Sequence, residues 1–379
     1  YFTIACLNHR YNQVAMNYFS KFREIQYKPF IQLKFDNTER LMLLNNMTYF
    51  SGHGKWLSYF IKSIDWNNTL KITEKRYLKH IKTCLINRKT CHCWNLMCTR
   101  NCKQTLGLED SFLLLTSGAF NNAVLQDILL ESWVKASDAE FKCYLTLLFQ
   151  ELPSIINIQS IRSSRIIELI LDKCRNSVIL TFNVFWELYI YRQSPINLVF
   201  YEKLYMYFYD SMSDNIKIIL TQQKNLAEYF KVIFKKPYTK ETMLQCKTYF
   251  DQFKKDRRQT VTGKNRSVNT MPIITNVRFD CIDMKFRGTR IISSNSKPLI
   301  IPCIVRNKDG HKFKYELMYK KDDLRQEKII MNVIQLMDII LKRDENLDLC
   351  ITTYNILPLN NKEGFIEMIS SSKTLYQLQ

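Results

Sequence analysis

Glycine and proline are scarce, with eight of each in 379 residues. The chain has no G-x-G-x-x-G and no Walker-type loop, which excludes the common glycine-rich ways of cradling a phosphate. Histidine is thin as well. His9, His53, His80, His92 and His311 are scattered, none stands in a triad pattern, and each is expected to be structural or at the surface. The longest apolar runs fall far short of the ~18 residues that mark a membrane helix. No charged segment precedes an apolar one at the start, so neither a signal peptide nor a membrane span is expected.

What is present suits folded domains. Hydrophobic residues make up 46% and aromatics 13%, enough for large cores and, at this length, two domains. Twelve cysteines at irregular spacing fit reduced thiols in a cytoplasmic or nuclear setting rather than a disulfide scaffold. The segment "CHCWNLMCTRNC", Cys91 to Cys102, lacks a second Cys-x-x-Cys pair and is expected to be a cysteine-rich helix or inserted loop rather than a zinc site. Fifty-five basic against 35 acidic residues give +20, which favours anionic partners such as phosphates, nucleic acid or an acidic membrane leaflet. The chain opens on Tyr1 and stops at "LYQLQ" as a helical pattern begins, so it is expected to be a piece cut at both ends.

From Asp36 to about Phe234 the apolar residues recur at three- and four-residue steps, as in "GKWLSYFIKSI", "NAVLQDILLESWV", "EFKCYLTLLFQEL", "SSRIIELILDKC" and "SVILTFNVFWELYIY". This predicts stacked helix pairs without an exact repeat. The aromatic helix "FYEKLYMYFYD" is expected to be core rather than a base-stacking platform, because its rings fall at helical spacing. The polar, basic stretch Gln252 to Thr270 reads as a linker. Beyond it the period changes to two in "NVRFDCIDMKF", "TRIISS" and "PLIIPCIVRN", and "NKDGHKFKYELMY" carries an Asp-Gly hairpin signal. A helix should follow, with Ile329, Ile330, Val333, Leu336, Met337 and Ile340 on one face and with Asp322 and Asp323 at its N-terminus. Strands resume at "LDLCITTYNILPL" and "GFIEMIS". The class expected is α+β: an all-α superhelical domain, then a small antiparallel sheet with one long helix.

The order hairpin, "DDLRQE", long helix, "LDLCITTYNILPL", "GFIEM" resembles the N-terminal kinase lobe of the phosphoinositide 3-kinase family. The family's motif runs Lys-x-Gly-Asp-Asp-Leu-Arg-Gln-Asp, and Asp322 to Gln326 match it without a gap. "RIISSNSKPL" resembles the family's phosphate-side loop, and "GFIEMISSSKTLYQLQ" its hinge and the helix after it. Both look more like class I than class III. "YFIKSIDWNN", "LEDSFLLLTS" and "CRNSVILTFNVFWEL" resemble its helical accessory domain. The resemblance implies an accessory domain over 36–250, a basic linker over 251–270 and the lobe over 271–379. Residues 1–35 would be a linker or the end of a C2 domain. The long gap between "SIDWNN" and "LEDSFLLL" implies an insertion.

The implied chemistry is transfer of the ATP γ-phosphate to the inositol 3-hydroxyl of a membrane phosphoinositide, by positioning and charge neutralisation. By resemblance Ser293, Ser294 and Lys297 belong to the phosphate loop, with Ser294 the contact, and Glu367 and Ile369 are hinge positions. Glu327 and Tyr354 line the inner pocket. The family's lysine stands three residues before the first Asp, where this chain has Tyr319, and Lys321 replaces the Gly. Lys320 is one place off, and a one-residue slip on a strand exchanges faces. Either Lys320 takes the role or the lysine is lost and the site is weakened. The Asp pair is expected to cap a helix rather than act as a dyad. No His-Arg-Asp, Asp-Arg-His or Asp-Phe-Gly occurs; the family carries its catalytic and Mg2+ loops in the C-terminal lobe, so the fragment alone is expected to be inactive. A regulatory subunit, an anionic membrane surface, a cytoplasmic, membrane-peripheral location and no nucleic-acid partner are implied. The alternative is a pseudokinase or scaffold that keeps the fold for partner binding.

Overall fold

The structure is a computed structural model that describes residues 35–45, 54–64, 106–234, 239–260, 271–294 and 296–369, with a few isolated positions besides. The Cys91 to Cys102 cluster, residues 261–270 and residues 373–379 lie outside the described residues. The chain divides into two compact units, residues 1–137 with 151–157, and residues 138–150 with 158–379. The architecture is α+β, as expected: among the described residues, helices up to Thr260, then one antiparallel sheet and a long helix.

In the first unit the described helices are α1 (Asn37–Asn45), α2 (Gly54–Ser63), α3 (Leu108–Leu113) and α4 (Ala123–Lys135). Trp133 on α4 is fully buried and stacks on Phe112 at 4.9 Å between centroids. Its indole N–H donates to Ser111 Oγ at 2.7 Å, so a large apolar ring is buried without an orphaned donor. Gly118 turns the chain between two short 3-10 segments with φ 77°, a left-handed conformation that glycine adopts without a Cβ clash.

The second unit begins in α5 (Asp138–Ile155) and continues through α6 (Arg165–Asn176), α7 (Val178–Tyr191), α8 (Leu198–Ser211), α9 (Asp214–Ile233) and α10 (Lys240–Thr260). α6 buries Ile166, Ile167, Ile170, Leu171 and Cys174, an i, i+1, i+4 stripe that leaves its charges outside. α7 is apolar almost all round and buried accordingly, from Leu180 to Tyr189. Ser177 caps it by accepting from Leu180 N at 3.3 Å. The rings of α8 are core, as their spacing predicts: Phe200, Tyr201, Tyr205 and Phe208 are buried. The expected linker begins differently. α10 carries helix through the basic stretch to Thr260, because its apolar positions Met243, Cys246 and Phe250 are buried and the polar residues simply extend the same helix.

The sheet runs β1-β2-β4-β5-β7-β6, with β3 against β4. Its strands are β1 (Met271–Ile273), β2 (Asn276–Met284), β3 (Arg290–Ile291), β4 (Leu299–Arg306), β5 (Lys312–Lys320), β6 (Ile356–Pro358) and β7 (Gly364–Glu367). The Asp-Gly hairpin forms between β4 and β5, pairing Leu299 with Tyr319 through Arg306 with Lys312, and Gly310 supplies the positive φ of 86°. "LDLCITTYNILPL" is a strand only over its last residues: 345–355 are irregular, and β6 is three residues long. Alternation along β5 sends Tyr315, Leu317 and Tyr319 into a core with Phe230, Phe234, Phe250, Phe286 and Phe365. Glu316, Met318 and Lys320 take the other face.

α11 (Arg325–Asp344) follows the sheet's central hairpin. Its apolar stripe does not enter a core. Ile329, Ile330, Val333 and Met337 are exposed at 44%, 56%, 50% and 55%, whereas Lys328 and Asn332 are buried. The buried side is polar because a carboxylate on α7 waits for it.

Candidate functional site

The strand register decides where the lysines point. β5 pairs with β7 so that Met318 faces Ile366, Tyr319 faces Phe365 and Lys320 faces Gly364, and β6 sets Ile356 beside Ile366. Leu324, Ile356 and Ile366 form one cluster, against which Met318, Met331 and Tyr354 pack. Lys320 therefore shares its sheet face with Met318, Ile366 and the Tyr354 side of the lobe. Tyr319 faces the opposite way, fully buried, 4.6 Å from Phe234 and 5.3 Å from Phe365 between ring centroids. Its hydroxyl donates to the Glu363 carboxylate. Burial and that carboxylate hold its phenol well above the ordinary pKa.

Lys320 Nζ lies 2.8 Å from Glu327 Oε1 and 3.0 Å from Asp322 Oδ2. Burial works against its ammonium, but hydrogen bonds to Glu327 and Asp322 outweigh it and hold the pKa above the ordinary lysine value. The hydrogen bond from Lys320 holds the Asp322 carboxyl below the usual range. β5 pairs with β4 and β7 without a register shift, so Lys320 and Tyr319 stay on opposite faces of the sheet.

The Asp pair acts differently from an expected N-cap. Leu324 is the capping position and makes no side-chain cap bond. Asp323 instead accepts from Arg325 N at 3.1 Å and pairs with the Arg325 guanidinium at 2.6 Å. Asp322 accepts from Asp323 N at 2.9 Å while it holds Lys320.

The loop of Ser293, Ser294 and Lys297 is exposed between β3 and β4. Lys297 has φ 41°, and its N–H donates to the Ser294 carbonyl at 3.0 Å. Arg290, just before it, forms a two-pronged ion pair with Glu316 at 2.7 and 2.8 Å, on the same face as Lys320. Among the described residues no hydrogen bond joins this loop to Lys320. At the end of β7 the Glu367 carboxylate accepts from Asn276 Nδ2 at 3.2 Å and from Asn355 N at 3.1 Å, and also from the Asn355 side-chain amide. The Glu367 N–H donates to the Asn355 carbonyl at 2.9 Å and Met368 N to the Glu316 carbonyl at 3.0 Å. Ile369 is 40% exposed. Lys320 and Glu327 are brought together; Tyr354 and Glu367 lie deeper in the lobe and Ser294 and Lys297 at its edge.

Two residues escape the motif altogether. Glu187, on the apolar helix α7, accepts from Lys328 Nζ and from Thr146 Oγ1 at 2.9 Å. Lys328 neighbours Glu327, so a buried ion pair fixes the turn of α11 that presents the partner of Lys320. A glutamate inside "NVFWELYIY" is the one local signal of this. No group of His, Cys, Asp and Glu among the described residues forms a metal site, and no described helix is long and apolar enough to cross a membrane.

A run of helices thus precedes an antiparallel sheet and a long helix, and the Lys320–Glu327 pair joins the last strand of the hairpin to that helix. Residues 314–379 match the family described as phosphatidylinositol 3- and 4-kinase. The chain is 29% identical over 128 residues to phosphatidylinositol 3-kinase age-1 of Caenorhabditis briggsae, covering 33% of this chain and 11% of that protein. It is 47% identical over 57 residues to phosphatidylinositol 3-kinase VPS34 of Arabidopsis thaliana, covering 15% and 7%. It is also 40% identical over 73 residues to serine/threonine-protein kinase TEL1 of Saccharomyces cerevisiae, covering 18% and 3%. The matches thus span about a tenth or less of these relatives' lengths.

Proposed function

We propose that the chain is the helical accessory domain (36–250, its last helix running on to Thr260), the rest of the basic linker (to 270) and the N-terminal lobe (271–379) of a phosphoinositide 3-kinase, class I-like, that transfers the ATP γ-phosphate to the inositol 3-hydroxyl of a membrane lipid. The observation that carries this is Lys320, whose ammonium stands on the inward sheet face between Glu327 and Asp322. A lysine so held is a fixed point charge for a phosphate oxygen. The donor set suits a triphosphate: one held ammonium and an exposed loop of hydroxyls with Lys297. When bound, ATP supplies the phosphoryl group and Mg2+ neutralises its charge; the metal ligands would come from a C-terminal lobe. Ser294 and Lys297 would cover the phosphates, Tyr354 would line the inner pocket, and the backbone at Glu367 and Ile369 would meet the base. Glu327 keeps the lysine aimed, and Glu187 with Lys328 keeps Glu327 in place.

The surplus of basic residues supports work at an anionic leaflet, where each nearby cation contributes on the order of 1 kcal/mol. We also infer a cytoplasmic, membrane-peripheral location and a regulatory subunit meeting the helical domain. The TEL1 match supports a second reading in which the substrate is a protein hydroxyl, because the lobe is shared by both kinds of kinase while the acceptor is chosen elsewhere.

The test is a phosphotransfer assay on the full-length protein with phosphatidylinositol vesicles and, separately, a serine-containing protein substrate. Lys320→Met should lower kcat/KM by roughly 10²-fold or more, the scale of losing one charge-stabilising donor, while Lys321→Ala should leave it unchanged. Transfer to lipid supports the leading reading and transfer to protein alone supports the second. Activity that survives Lys320→Met removes Lys320 from the mechanism, and an inactive parent means a lobe kept as a scaffold.

A further inference from the structure

The second unit contains a cavity of about 240 Å3 behind α11, lined by residues of α5, α7, α11, the β1–β2 turn and the segment before β6. Neither Lys320 nor Glu327 lines it, although Tyr354 and Glu367, assigned above to the nucleotide side, do. Its charged lining is of both signs. Lys142, Arg278 and Lys328 face it, with Asp138 and Glu367. Lys328 is paired with Glu187, while Glu367 keeps its charge and accepts from the neutral amides of Asn276 and Asn355. Lys142 has no carboxylate partner among the described residues; its Nζ donates to the neutral Asn355 Oδ1 at 2.8 Å. Burial, with Lys328 and Arg278 nearby, drives its pKa below the ordinary lysine value. An ammonium so enclosed is costly unless an anion meets it, and Asn183, Asn332 and Gln335 add amide groups around the same space.

We propose that this cavity binds a small soluble anion bearing a phosphate monoester, held by Lys142 and Arg278 with amide donors from the surrounding asparagines. Ammonium and guanidinium together match the charge and the several acceptor oxygens of a phosphate. The volume suits a compact phosphorylated metabolite. The cavity wall includes Asn355 and Glu367, which hydrogen-bond each other beside the hinge, so occupancy would report directly on that strand. This inference does not rest on the proposed kinase activity.

The test is binding to the 379-residue chain at fixed ionic strength, read by calorimetry, with inorganic phosphate, glycerol 3-phosphate and vesicles of phosphatidic acid in phosphatidylcholine as probes. Saturable, one-to-one binding of the soluble phosphates is expected, weakened at least tenfold in Lys142→Met and in Arg278→Ala. Arg278 is exposed, so its variant tests the site even where Lys142→Met does not fold. Equal affinity in Arg278→Ala, no saturable binding by the parent, or a response to vesicles only, each overturns the proposal. Binding of vesicles in addition to the soluble phosphates leaves it standing, provided that the soluble binding is lost in the variants.

Discussion

Replacing Glu187 with Gln should destabilise the second unit far more than a surface charge change does. The substitution keeps the shape of the side chain and removes the charge that Lys328 meets. Both partners are enclosed, with side-chain exposures of 10% for Lys328 and 4% for Glu187, so the ammonium is left with no water to turn to. Breaking one side of a buried pair costs about 3–5 kcal/mol, whereas replacing both sides by apolar groups of similar volume is about neutral or better. Thr146 also loses part of its acceptor in the apolar replacement, about 1 kcal/mol. For a unit of this size each kcal/mol moves the midpoint by about 2–4 °C. Glu187→Gln should therefore melt roughly 6–20 °C below the parent by differential scanning calorimetry, and Glu187→Leu with Lys328→Met should recover most of the loss. A single variant within ~2 °C of the parent, less than the shift expected for 1 kcal/mol, would refute the reasoning. So would a double variant no better than the worse single one.

Two further outcomes follow from packing and titration. At Gly364, a Cβ would sit 2.5 Å from the Leu357 carbonyl and 2.9 Å from Pro358 Cα, both backbone atoms that cannot swing aside; Gly364→Ala should cost about 1–3 kcal/mol, measured by urea unfolding, and a neutral substitution would show that β6 is free to shift. Tyr229, stacked on Tyr249 at 3.6 Å between centroids, has its phenol pushed up to about 12 by burial, with Cys246 and Tyr249 adding to it. A phenol raised in the folded state contributes stability that is full below the ordinary pKa near 10 and is lost as pH rises toward 12. Tyr229→Phe should flatten the alkaline fall in stability between these values, and an unchanged alkaline limb in a pH series of thermal melts would exclude Tyr229 as its source.

Much of the fold was legible because its signals are local. Alternation and the Asp-Gly turn locate β4 and β5, and the three- and four-residue steps locate α5 to α8. α10 was lost to its basic second half, where charge outweighed three buried apolar positions. The site was less legible. Periodicity shows that Ile329, Ile330, Val333 and Met337 share a face, but not that this face meets solvent. The buried side of α11 is set by Glu187, 141 residues upstream of Lys328, and no window along the chain contains both. The motif points to Glu327 and leaves Lys320 as one of two alternatives, and β5–β7 pairing supplies the facing that the motif leaves open.

The parity of β5 ties an ammonium to an aromatic ring. The strand pairs with β4 and β7 without a slip, so Tyr319 and Lys320 cannot trade faces unless every pair from Lys312 onward moves with them. A shift of one residue that drew Lys320 away from Glu327 and Asp322 would at the same time carry Tyr319 out of the core. The packing of the ring and the aim of the charge are thus secured by one and the same set of backbone bonds.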